Sequence, residues 1–319
     1  MPILTGLTAA LAWLGRQGTR ALAVSVFFGL AVPQFAAYVK PFLGETVFVL
    51  LLFSYLRTDP AAFRRYLKSP GLTIAASLWI MVAVPLLFGT AYALSGLREG
   101  MPALYTIMIL QIAITPITSS AAFAALMGLD VAFSLAALIV SNALSPLTTV
   151  AFSYLFLGSS MFSPAELGIK LFVFFAGAAI IAFAIRRMAG QTWIERQKER
   201  IDGLNVIAVF IFAIAAMESV PRYVVADPLF ALELFVLIVV VTAALIGVSA
   251  LVFLRAGHDR GLVIGMLAGF RNIGLVMAAL GSTLPDLAWF YFALAQFPIY
   301  LFPALVKPLA RRLQRPSAT

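Results

Sequence analysis

Long apolar blocks alternate with short polar ones along the chain; Leu234 to Leu254, for example, contains no charged residue. A helix needs about 20 mainly apolar residues to cross a bilayer core, which predicts ten spans at roughly 20–38, 42–57, 71–95, 102–128, 131–157, 165–187, 202–220, 229–254, 260–281 and 287–308. Only helices and closed barrels satisfy every backbone group inside lipid, and the short alternating segments of a barrel are missing, so the spans read as helices. Asp59-Pro60, Ser163-Pro164 and Asp227-Pro228 each put a capping side chain before a proline suited to a first helical turn. Ser163 with Glu166 also fits a capping box. Residues 1–15 read as a short interfacial helix, because their apolar stretch precedes Arg16 and Arg20, the reverse of a signal peptide.

Charge gives this pattern a direction, since Lys and Arg gather on the cytoplasmic side of short loops. With ten spans and the N-terminus inside, Arg16, Arg20, Arg57, Arg64, Arg65, Lys68, Arg186, Arg187, Arg196, Lys198, Arg200, Arg255, Arg260, Lys307, Arg311, Arg312 and Arg315 lie inside. Lys40, Arg98, Lys170 and Arg222 lie outside, and Arg271 falls within a span. The expected location is therefore a plasma or inner membrane, with both termini cytoplasmic. The largest inner connection, about Arg186 to Arg200, divides one membrane domain (1–319) into five spans plus five, 20–158 and 165–308. Five is odd, so the halves run in opposite senses, as in inverted-repeat transporters. The halves share no strong residue-level identity, and the repeat rests on topology.

Composition removes other classes. The 319 residues are 63% hydrophobic and 11% charged, with a mean hydropathy of +1.04, whereas a soluble domain is roughly 45–50% apolar and about 25% charged. The net charge of +9 sits in loops between spans, so nucleic acid is not an expected partner and the lipid bilayer is. There is no cysteine, and the single histidine, His258, lies beside Asp259 and Arg260, which leaves no basis for a metal cluster. No nucleophile, base and orienting acid combine, and no phosphate-binding loop occurs, so neither an enzyme nor an ATP-driven pump is expected, and no cofactor.

In an inverted-repeat carrier the solute binds near the midplane, on interrupted helices in matching positions of the two halves. The fourth span holds Gln111 and the run Thr115-Pro116-Ile117-Thr118-Ser119-Ser120. Pro116 breaks the ladder there, and the four hydroxyls either present a site to solute or bond back to their own turn. The ninth holds Gly265, Gly269, Arg271, Asn272 and Gly274. A central arginine costs roughly 2.5–3.5 kcal/mol on insertion scales, so Arg271 must face protein or water. It either meets an anion or ties together carbonyl ends where helices break. Asn272 would lie about 100° further round a helix. Gly265 and Gly269 form a G-x-x-x-G pair that would let the fourth and ninth spans cross closely. Asn142 and Gln296, each a few residues before a proline, are further polar candidates. Glu45, Asp130 and Glu218 read as interfacial, which leaves Arg271 without an evident acidic partner.

Two segments carry a resemblance. The run Thr115-Pro116-Ile117-Thr118-Ser119-Ser120, followed by Gly128-Leu129-Asp130 with Ser134 and by Leu144-Ser145-Pro146, resembles the bile acid:sodium symporter family. That family has a Pro-Gly-Gly-Thr-x-Ser-Asn run, then Gly-Asp-x-x-Leu-Ser, then a proline in the next helix. Arg271-Asn272-Ile273-Gly274-Leu275 looks like its Gln-Asn-x-Gly-Leu run. The resemblance implies a core and a panel domain, broken and crossing fourth and ninth helices, and uptake of organic anions by alternating access with two sodium ions. Thr115, Pro116, Thr118, Ser119, Ser120, Arg271 and Asn272 are the expected substrate-binding residues; Gln111, Asn142 and Gln296 are secondary candidates.

The departures fall on the sodium positions. Leu267 stands where the family has a glutamate ligand and Arg271 where it has glutamine, while the fourth-helix asparagine becomes Ala121 or Ala122. A site that loses a carboxylate and gains a cation is a poor sodium site. The expectation is a carrier of a small organic anion without the usual sodium coupling, in which Arg271 takes the place of the ion charge. The alternatives are an exporter of the auxin-efflux type driven by protons or a gradient, or a transport-like sensor or scaffold, against which the absence of a fused output domain speaks.

Overall fold

The computed structural model describes residues 28–57, 70–158 and 162–314, together with Ala10 and Trp13. The described residues are 89% helix, with no strand among them. In chain order the helices are α1 (Pro33–Val39), α2 (Leu43–Arg57), α3 (Gly71–Leu94), α4 (Pro102–Ala113), α5 (Ser120–Met127), α6 (Val131–Leu157), α7 (Pro164–Ala189), α8 (Lys198–Ala216), α9 (Pro228–Val252), α10 (His258–Gly269), α11 (Ile273–Leu280) and α12 (Asp286–Gln314). A 3₁₀ turn at Lys40–Phe42 joins α1 to α2, and the short helix Val220–Ala226 follows α8.

Among the described residues six helical segments are long and apolar enough to cross a membrane: Gln34–Leu56, α3, α6, α7, Lys198–Ala226 and α9. Their outward faces are apolar at helical spacing. Leu229, Leu232, Val236 and Val240 stand exposed along α9, and Ile169, Phe172, Val173, Ile180 and Phe183 along α7. Stripes of that size exposed to water would drive aggregation; facing acyl chains they have nothing to escape from. The chain has the character of an all-α, multi-pass membrane protein.

The helix starts follow local chemistry. Phe133 N–H donates to the Asp130 carboxylate and Phe230 N–H to the Asp227 carboxylate, both at 3.0 Å. Glu166 N–H donates to Ser163 Oγ at 3.3 Å. Pro164 and Pro228 occupy first-turn positions where no N–H is needed. The proposed cap at Asp59-Pro60, the interfacial helix 1–15 apart from Ala10 and Trp13, and the first part of the 20–38 span lie outside the described residues.

One glycine expectation is corrected. Gly265 and Gly269 do not face the fourth span; they pack on α9. A Cβ at Gly265 would lie 2.6 Å from Ile246 O, and one at Gly269 would run into Ile246 Cγ1. Gly261, one turn earlier, meets Ala250 O in the same way. The tight connection at Leu254–Gly257 makes α9 and α10 an antiparallel pair, and this glycine edge lets their backbones close. Gly274, on α11, lies instead under the Phe212 ring of α8, at 2.7 Å from a built Cβ.

Candidate functional site

Two helices are interrupted at matching depth, and the interruptions meet. α4 ends at Ala113, where Ile114 turns extended (φ −77°, ψ 159°), and α5 starts at Ser120. α10 ends at Gly269, Phe270 is extended (φ −92°, ψ 90°), and α11 starts at Ile273. The two stretches run antiparallel with Pro116 opposite Arg271. Ile117 N–H donates to Phe270 O at 2.8 Å, and Asn272 N–H donates to Thr115 O at 2.9 Å. Unwound backbone inside an apolar body would strand its polar groups; here each break supplies partners for the other. Pro116 fits because a residue at this kind of antiparallel position contributes no N–H to the ladder.

The remaining carbonyl ends converge on Arg271, which is 1% exposed. Its Nε donates to Ala268 O at 2.7 Å, Nη1 to Ile114 O at 2.9 Å and Nη2 to Ile80 O at 2.9 Å. Each acceptor is an orphan for a local reason. Ala268 and Ile114 lie where α10 and α4 run out. Ile80 lies in a π-helical turn of α3, Trp79–Ala83, where Val84 N–H bonds to Trp79 O. The next residue is Pro85, which has no N–H, so Ile80 O has no donor in its own helix. Sequence reasoning missed this partner, although Val84-Pro85 in an apolar span was a visible signal.

Most of the other expected residues are also satisfied internally. Thr115 Oγ1 donates to Asn142 Oδ1 at 2.6 Å, and Asn142 Nδ2 reaches Tyr55 OH at 3.4 Å. Ser120 Oγ donates to Ile117 O at 2.6 Å. Gln111 accepts from Tyr291 OH, both buried. Gln296 Nε2 donates to Phe292 O at 3.0 Å, while its Oε1 is buried with no partner among the described residues. The last carbonyl of α4, Ala113 O, accepts from Thr149 Oγ1 at 2.9 Å; Thr149 had not been singled out.

A cavity of ≈ 970 Å³ ends against the crossing, within the size range of solute pockets. Its walls are Val47, Leu50 and Leu51 of α2, Val206, Val209 and Phe212 of α8, the Ala121–Leu126 face of α5, and Tyr300 of α12. Ile194, Glu195, Lys198 and Asp202 line its far end, where Glu195 and Lys198 are exposed. Three of the expected residues face it: Thr118, Ser119 and Asn272. Asn272 is 8% exposed and makes no side-chain cap to α11. Ser119 likewise makes no cap to α5. Among the described residues the side chains of Thr118, Ser119 and Asn272 make no hydrogen bond, unlike those behind them.

The expected substrate-binding set thus divides. Thr118, Ser119 and Asn272 face the cavity, whereas Thr115, Pro116, Ser120, Arg271, Gln111, Asn142 and Gln296 do not line it in this conformation. The expected 100° between Arg271 and Asn272 is also corrected. Neither lies in a helix: Arg271 is bridged to Pro116, and Asn272 turns at φ −83°, ψ 64° with Ile273 N–H donating to Arg271 O, so that the Arg271 side chain is buried in the protein and Asn272 lines the cavity. At the positions compared with sodium ligands, Leu267 is fully buried and Ala121 and Ala122 line the cavity. No family model and no curated protein matches the chain.

Proposed function

We propose that the chain is a secondary transporter that moves a small organic anion by alternating access, as a member of the bile acid:sodium symporter family without its sodium coupling. On this reading the chain has ten spans in two inverted halves and lies in the plasma membrane with both termini cytoplasmic. The observation that carries it is the pair of mutually satisfied breaks that leaves Thr118, Ser119 and Asn272 unpartnered at the end of a cavity. Half-helices α5 and α11 both begin there, and helix N-termini favour an anionic group. The apolar walls suit a hydrocarbon body behind that group.

Arg271 takes the charge role at the crossing. Its guanidinium supplies fixed positive charge to three carbonyls that would otherwise need a cation or water, so no inorganic ion is required to hold the breaks. The anion itself meets neutral donors.

The test is flux of organic acids into oriented proteoliposomes, with a thermal-shift screen of the purified protein against the same acids in sodium and in potassium. A bound solute stabilises in proportion to the logarithm of its concentration over its affinity. The expected result is saturable flux and equal stabilisation in the two salts. Steep dependence on sodium but not potassium would refute sodium independence, and binding without flux would favour the sensor reading.

A further inference from the structure

The cavity reaches the crossing from one end of the molecule; at the other end, the same elements that wall it are tied to the start of α12. We propose that these ties form a separable lock that closes the far side of the binding site, an inference that rests on the alternating-access reading. Three contacts make it. Tyr223, in the short helix after α8, stacks on Phe290 with centroids 4.5 Å apart and planes within 8°. Next to it Arg222 Nη2 meets Asp286 Oδ2 at 2.7 Å. Lys40, in the turn between α1 and α2, pairs with Glu218 at 2.8 Å and sits 4.3 Å above the Trp289 ring.

All three join the α1–α2 and α8 elements to residues 286–290 of α12. For a solute at Asn272 to leave by this end, α2 and α8 must part from α12 there, and these contacts must break. Their chemistry suits repeated opening. The Arg222 and Asp286 side chains are 65% and 70% exposed, and exposed ion pairs are weak. Water stands ready to solvate both charges once they separate. The Tyr223–Phe290 stack supplies the apolar part of the lock, with Phe290 buried and Tyr223 half-buried. A turn at Met217–Ser219 separates α8 from the short helix Val220–Ala226 that carries Arg222 and Tyr223.

The chain has no cysteine, so a single reporter can be read without background. With Val209→Cys on the cavity wall, a membrane-impermeant maleimide is applied to oriented vesicles from either face. The reporter should label from the cavity-mouth side and slowly from the other. Tyr223→Ala or Asp286→Arg should raise labelling from the locked side roughly tenfold and lower it from the mouth side. The exchange Arg222→Asp with Asp286→Arg should restore the original sidedness. Unchanged labelling from the locked side in both single variants would overturn the lock. So would a rise that the charge exchange fails to reverse, since that reports general loosening. Total labelling in detergent normalises for folded protein. Labelling needs no solute, so a failed lock and a failed transport reading are told apart by flux.

Discussion

Replacing Arg271 by methionine keeps an unbranched apolar stem and removes the guanidinium with all its donors. Three buried carbonyls then lose charge-assisted hydrogen bonds worth roughly 1.5–3 kcal/mol each. In the opposite direction, a desolvated cation no longer has to be held, a relief of several kcal/mol. Breaking one side of a buried ionic arrangement nets about 3–5 kcal/mol, and the lower end applies here because the groups left behind are neutral. The loss cannot be repaired locally: Pro85 has no N–H for Ile80 O, and α4 and α10 have run out beside Ile114 and Ala268. Lysine should recover only part of it, because one ammonium cannot span three acceptors on three helices as a planar guanidinium does. The assay is the thermal unfolding midpoint in detergent, followed by tryptophan fluorescence. Arg271→Met should melt well below the parent, with Arg271→Lys between them. Arg271→Ala leaves room for a guanidinium ion, and guanidinium at ten times its dissociation constant should restore about 1.4 kcal/mol, with no such gain in the parent. If Arg271→Met melts with the parent while solute affinity falls, Arg271 acts on the solute and the clamp is wrong.

Other outcomes follow from the same geometry. Asn272→Ala should weaken solute binding about tenfold, the scale of one good hydrogen bond, with the melting midpoint unchanged because no internal bond is lost; a matching drop in stability would give Asn272 a structural role. Thr149→Val should cost about 1–3 kcal/mol in the unfolding midpoint by leaving Ala113 O buried without a donor, and solute affinity measured by thermal shift should hold. Gly265→Ala should reduce folded yield more than Gly269→Ala, because the added methyl meets the Ile246 carbonyl in the first case and the more movable Ile246 side chain in the second; the reverse order in size-exclusion recovery would contradict the α9–α10 packing.

Much of the architecture was legible because the physics that sets it is one-dimensional. Lipid requires long apolar helices, and α6 begins and ends where hydropathy and the Asp130 cap put it. The interruption at Pro116 was legible because proline removes a donor wherever it stands, and the trouble at Arg271 because charge is costly inside an apolar span. What was not legible depends on which face a residue turns to. Ser119 and Ser120 are adjacent and chemically identical, yet Ser120 bonds back to Ile117 O while Ser119 faces the cavity. The G-x-x-x-G pair announced close packing without naming the partner, and the chain neighbour α9 took it.

Arg271 and Asn272 show why the break itself matters to the site. In a continuous helix they would lie about 100° apart, and the guanidinium would share the cavity with any solute. The unwinding of residues 270–272 changes that geometry: Arg271 is bridged to Pro116 and the chain turns at Asn272 (φ −83°, ψ 64°), which separates the two side chains. One side receives a cation held by three carbonyls; the other receives a neutral amide with no hydrogen bond among the described residues. The charge then stabilises the crossing from behind while the face toward the cavity stays uncharged. A solute held there by neutral donors and two helix N-termini has no fixed ion pair to break when it leaves. On this argument the same three unwound residues serve both the stability of the crossing and the reversibility of binding.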